Sequence, residues 1–156
     1  MTKFNPFNAR LVFQGEPENF NPKVELVACF IVVNNKVLFL KRLPYKSEGN
    51  TWGVPGGKRE KAEGVQDAMI REIREETQIE LSTRPIKSFG KVYIRYPKVD
   101  FIYHMFESKF QEFPNVVIDT KEHAEYCWIT LEEALNLPLI PGEDECIQLC
   151  YSSGNF

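Results

Sequence analysis

The most constraining feature of this 156-residue chain is an acidic helix. Residues from about Gly64 to Thr77 have helical character, and three of their glutamates fall on one side. At about 100° per residue, Glu72, Glu75 and Glu76 lie within an arc of roughly 100° that also holds Val65 and Ala68. Asp67, Arg71 and Arg74 project towards the opposite, solvent-like side. Like charges at i,i+3 and i,i+4 each cost a few tenths of a kcal/mol. Glu75 and Glu76 also stand near the helix C-terminus, where the macrodipole disfavours anions by about 0.3–1 kcal/mol. Two arrangements would offset this: a solvated acidic face relieved by Arg71 and Arg74, or a bound divalent cation. Magnesium prefers hard oxygen ligands and keeps waters and substrate phosphates in its shell. Spacing alone does not choose between the two.

The residues ahead of the helix favour the cation. Gly56-Gly57 follow Thr51-Trp52-Gly53-Val54-Pro55, so the backbone there turns tightly or approaches something closely, and a bare carbonyl becomes available as a further hard ligand. The remainder of the chain reads as strands before and after one long helix. Residues 1–23 form an irregular, proline-containing lead-in with a short strand at Arg10–Gln14. Val24–Val33, the turn Asn34-Asn35 and Lys36–Leu43 form a hairpin, with Val37, Phe39 and Lys41 on one face. Strands follow at Ile86–Tyr96, Asp100–Lys109 and Glu125–Ile129. Thr130-Leu131-Glu132-Glu133 has the form of a capping box, Pro138 stops the short helix it opens, and a last helix covers Glu143–Tyr151. These elements predict a single α/β domain, a mixed sheet with helices packed against it.

Gly57, Glu63, Arg71-Glu72-Ile73, Glu75-Glu76 and Ile79, at these intervals, resemble the Nudix box. Six of its seven fixed glycine or polar positions and both aliphatic ones are matched over 23 residues. The exception is Gln78, where the family has glycine. A glutamine there either accepts the left-handed conformation, at about 1–2 kcal/mol, or the helix end takes another path. The resemblance extends to the hairpin, to Trp52–Gly57 and to Trp128–Glu133.

It implies an α/β/α sandwich around a mixed sheet and a magnesium-dependent hydrolase, manganese being a substitute. Carried over by position, the Gly56 carbonyl and the carboxylates of Glu72, Glu75 and Glu76 would hold the metal. Glu63 and Arg71 would pair to brace the loop against the helix. Glu72, Glu76 and Glu122, just ahead of the last strand, are the candidates for general base, with Glu125 as second choice to Glu122. Lys58 is a candidate phosphate contact. Tyr96, 17 residues after Ile79, resembles a mark of dinucleoside-polyphosphate hydrolases and is a candidate substrate contact, and Pro97, one further on, resembles a mark of ADP-ribose hydrolases. Tyr93, Phe101, Tyr103 and Phe106 could stack a base, but alternating aromatics more often build a core.

The expected reaction is attack of water on a phosphoanhydride, with a nucleoside triphosphate as substrate in the MutT-like manner. Dinucleoside polyphosphates, ADP-ribose and nucleotide sugars are the alternatives, and a non-catalytic ligand-binding Nudix module is the alternative of another class. The retained glutamates speak against that last one. A net charge of −3 argues against a nucleic-acid polymer as partner and for a small nucleotide. The longest apolar run, Leu26–Val33, is too short to span a bilayer and no signal-peptide pattern opens the chain, so a cytoplasmic location is expected. The sequence is compatible with a homodimer. Cys29, Cys127, Cys146 and Cys150 lack metal-site spacing and read as idle thiols.

Overall fold

The computed structural model describes residue 7 and residues 9 to 152, and within them an α/β fold around one mixed sheet. Its strands are β1 (Val12–Phe13), β2 (Pro22–Val33), β3 (Lys36–Arg42), β4 (Trp52–Gly53), β5 (Gly56–Lys58), β6 (Lys87–Tyr96), β7 (Val99–Phe110) and β8 (His123–Thr130). The helices are α1 (Val65–Thr77), α2 (Leu131–Ala134) and α3 (Glu143–Tyr151).

The centre is β2, which runs parallel to β7 from Pro22↔Asp100 to Val33↔Phe110. Its near-continuous apolar run suits a strand covered on both faces. Val27, Cys29 and Ile31 point to one face, where they meet Ala68, Met69 and Ile73 of α1. Ala28, Phe30 and Val32 point to the other, where they join Cys146, Ile147, Cys150 and Tyr151 of α3. The result is three layers, helix on sheet on helix. Met69 and Ile73 are fully buried, and each such side chain contributes about 1.5–3 kcal/mol.

The sheet forks beside β2, and the fork sets the geometry of the site. β3 pairs with β2 only at the hairpin mouth, Val32↔Val37 and Val33↔Lys36, where Asn34 takes positive φ. β8 pairs with β3 along its whole length, from Lys36 to Arg42; beyond the hairpin mouth β4 joins β3 at Leu40 and Lys41, and β5 lies along Leu26 to Ala28 of β2. The segment Trp52–Lys58 therefore crosses from β3 to β2. A side chain at Gly56 would come within 2.2 Å of the Val27 carbonyl oxygen, so glycine is required by the close approach.

Thr130 and Glu133 form the capping box reciprocally, with Glu133 N donating to Thr130 Oγ1 at 3.1 Å and Thr130 N to Glu133 Oε1 at 3.0 Å. At the end of α1, Gln78 accepts the left-handed conformation (φ 62°, ψ 16°) and donates its N–H to the Arg74 carbonyl. The last strand starts two residues earlier than expected, at His123. Cys29, Cys146 and Cys150 are buried, and burial holds their thiols protonated. Phe101 and Phe106 are core residues. No helix among the described residues is long and apolar enough to cross a membrane.

Candidate active site

Arg71 organises the acidic helix. The wheel placed it on the solvent side, but its guanidinium is drawn inward by four partners because Glu63 rises from the preceding loop to meet it. Arg71 Nε and Nη2 donate to Glu63 at 2.6 and 2.9 Å, a bidentate pair. Nη1 reaches Glu72 Oε1 at 2.9 Å and both Glu75 oxygens at 2.9 and 3.1 Å, and Nη2 also donates to the Lys58 carbonyl at 3.0 Å. The Arg71 hydrogen bonds, with a further one from the Glu60 N–H, hold the Glu63 carboxyl down at about 2. Glu72 behaves oppositely: burial raises its pKa, opposed by Arg71 and assisted by the charges of Glu75 and Glu76.

Gly57 faces this network. A Cβ there would lie 2.0 Å from Glu72 Oε2, so the Glu72 carboxylate rests directly on a bare peptide unit. Glu76 lies deeper. Its Oε2 is buried and has no hydrogen-bond partner among the described residues. His123 Nδ1, equally buried and unbonded, is 2.9 Å from it: the distance of an ion pair without the alignment of a hydrogen bond.

The three carboxylates do not converge. Glu75 is half exposed and turned to Arg71, and no three acidic, histidine or cysteine side chains among the described residues gather as a closed metal site. Glu72 and Glu76 still offer hard oxygens, and the buried, unpaired Glu76 Oε2 is a group that a cation would satisfy. A set left incomplete by the protein suits magnesium, which fills its shell with water and phosphate oxygen.

The other candidates are spread around this centre. Glu122 precedes β8 and pairs with Lys46 at 3.4 Å, on the rim. Lys58 is exposed beside the glycines. Tyr96 is engaged elsewhere, its hydroxyl donating to the Pro141 carbonyl at 2.8 Å and its ring packing against Phe7 and Phe101.

Two residues escaped the sequence reading. His123 reaches Glu76 only through the fold. Glu143 opens α3 yet is buried; its Oε1 accepts from the Tyr103 hydroxyl at 3.1 Å and its Oε2 from the Val54 N–H at 3.4 Å, two residues before Gly56. Burial lifts its pKa to about 7. An apolar spacing signal could not have revealed it, because an acidic residue in a first helical turn normally faces water.

The NUDIX domain model matches residues 23–150. A Bacillus subtilis protein described as an uncharacterized Nudix hydrolase, YvcI, is 30% identical over 118 residues, 74% of this chain and 71% of the relative. The CTP pyrophosphohydrolase of Escherichia coli is 28% identical over 120 residues, 77% of this chain and 85% of that protein. The crystal structure of a MutT protein from Methanosarcina mazei superposes with a TM-score of 0.67 at 26% identity, covering 79% of this chain and 88% of the other. The match runs from the first long strand into the last helix and contains the whole Gly57–Ile79 pattern, so the chain belongs to the Nudix family of hydrolases.

Proposed function

We propose that this Nudix hydrolase is a magnesium-dependent nucleoside triphosphate pyrophosphohydrolase, with manganese able to substitute. The observation that carries the metal assignment is the buried, unpartnered Glu76 oxygen one helical turn from Glu72, which lies against Gly57. Glu72, Glu75, Glu76 and the Gly56 carbonyl would hold the ion. When bound, it would neutralise diphosphate charge, orient the chain of phosphates and acidify a water. A triphosphate substrate is supported by the likeness to a CTP pyrophosphohydrolase.

The protein's own groups divide the work. Arg71 and Glu63 fix the loop that follows the glycines to the helix, and Lys58 stands exposed at its edge to meet a phosphate. Glu72, Glu76 and the rim residue Glu122 are the groups able to take the proton of the attacking water. Water adds to phosphorus as the bridging anhydride oxygen leaves, so one triphosphate and one water give a nucleoside monophosphate and pyrophosphate. No covalent intermediate is required, since no activated nucleophile stands at the site among the described residues.

The test is a screen of nucleoside triphosphates, dinucleoside polyphosphates, ADP-ribose and nucleotide sugars with and without magnesium, with products identified chromatographically. Preferred turnover of a triphosphate to monophosphate and pyrophosphate is expected. Preference for ADP-ribose, a dinucleoside polyphosphate or a nucleotide sugar would overturn the substrate class, and binding without turnover would identify a ligand-binding module.

A further inference from the structure

Arg71 restrains Glu72 and Glu75 but does not reach Glu76, the most enclosed of the three acids. What stands opposite Glu76 is His123, at 2.9 Å, and the backbone holds it there by several independent bonds. The segment before β8 is stitched to carbonyls at the end of α1 that the helix itself leaves unpaired: Val117 N donates to the Thr77 carbonyl at 3.0 Å and Asp119 N to the Glu76 carbonyl at 3.2 Å. The Asp119 carbonyl in turn accepts from Glu122 N at 3.0 Å and His123 N at 2.9 Å, and its side chain from Lys121 N at 3.0 Å. The loop thus delivers one ring nitrogen to one carboxylate. Neither atom has another partner among the described residues, so a small rotation of either side chain would complete a hydrogen bond that occupies one lone pair of Oε2 and leaves the other, with Oε1, to a cation.

We propose that His123 is a positioning residue that fixes the Glu76 carboxylate for the divalent cation, a role that rests on the reading of Glu76 as a metal ligand. Carboxylates that ligate metals are commonly held by hydrogen bonds from outside the coordination shell, and loss of such a partner typically costs about 10–100-fold in metal affinity. The contact is made through Nδ1, the nitrogen bonded directly to the ring carbon nearest the backbone. An asparagine places its amide nitrogen at the equivalent position, whereas a glutamine carries its own one bond further out.

The experiment is calorimetric titration of the full-length protein with Mn2+ alone, using wild type, His123→Asn, His123→Gln and His123→Leu, with thermal melting of each metal-free variant alongside. His123→Leu and His123→Gln are expected to bind Mn2+ about 10–100-fold more weakly, and His123→Asn within about threefold of wild type. In a Glu76→Gln background the histidine substitutions should produce no further loss. Equal affinity in wild type and His123→Leu, or equal weakening in asparagine and glutamine variants, would overturn the positioning role while leaving the metal reading intact. Should leucine fail to fold, the asparagine–glutamine pair decides. If wild type binds no Mn2+, the metal reading fails and the positioning role with it. A melting-temperature coupling between His123 and Glu76 would then show the contact to be purely structural.

Discussion

Replacing Gly57 with alanine should separate activity from stability. The added methyl would lie 2.0 Å from Glu72 Oε2 and 2.3 Å from its Cδ, against an ordinary contact of about 3.4 Å, so the carboxylate must retreat by more than about 1 Å. It is the end of a flexible side chain and can do so. Gly57 does not need positive φ, so alanine gains about 0.4–1 kcal/mol from a less mobile unfolded chain. Loss of the Arg71–Glu72 hydrogen bond costs about 1–3 kcal/mol, reduced by partial exposure, and the net change in stability should be under about 1.5 kcal/mol. Turnover should nonetheless fall by about 100-fold, the effect of a 1 Å displacement of a catalytic group. Gly56→Ala provides the contrast: its methyl would meet the Val27 carbonyl at 2.2 Å and Ala28 Cα at 2.9 Å, backbone that cannot step aside. It should cost about 1–3 kcal/mol or more in stability. Urea unfolding paired with steady-state kinetics measures both. Gly57→Ala with wild-type turnover would refute the idea that Glu72 must rest on the bare peptide.

Glu143 makes stability depend on pH in an unusual sense. Its folded pKa of about 7 exceeds the ordinary 4.5, so the native state keeps a proton that the unfolded chain releases. Stability should therefore fall between pH 4.5 and 7 and level off above, by up to about 3 kcal/mol from this residue, and Glu143→Gln should flatten the profile in denaturant melts at pH 5 and 8. Unchanged pH dependence would exclude a buried protonated acid. Gln78→Gly should leave turnover within about tenfold and raise stability by about 1 kcal/mol, since glutamine occupies the left-handed region at φ 62° without touching a proposed ligand. A loss of turnover of several orders of magnitude would assign Gln78 a role in the site. Thr130→Ala should cost about 1 kcal/mol through the lost capping box, read as a lower melting temperature with unchanged kinetics.

The local rules were legible in the sequence, and the long-range ones were not. α1, the Asn34-Asn35 hairpin and the Thr130–Glu133 box depend on neighbours within a few residues, and each formed close to where its residues indicated. Gln78 shows the limit of local reasoning: propensity counted a penalty, and the chain accepts it because the αL turn satisfies the Arg74 carbonyl. The wheel also misjudged Arg71, since angular position on α1 says nothing about Glu63 folding back over it. His123 and Glu143 depend on contacts across 47 and 40 residues, to Glu76 and Tyr103, and no periodicity carries that information. The fork between β3 and β5 is equally non-local, and it is what brings Gly57 beneath Glu72.

The central claim, metal-assisted attack of water on a triphosphate with release of pyrophosphate, is tested most directly by single-turnover hydrolysis in oxygen-18 water with magnesium present, read by mass spectrometry. One labelled oxygen should appear in either the nucleoside monophosphate or pyrophosphate, whichever contains the attacked phosphorus, with no orthophosphate formed. Label in orthophosphate, with a nucleoside diphosphate as co-product, would contradict the account.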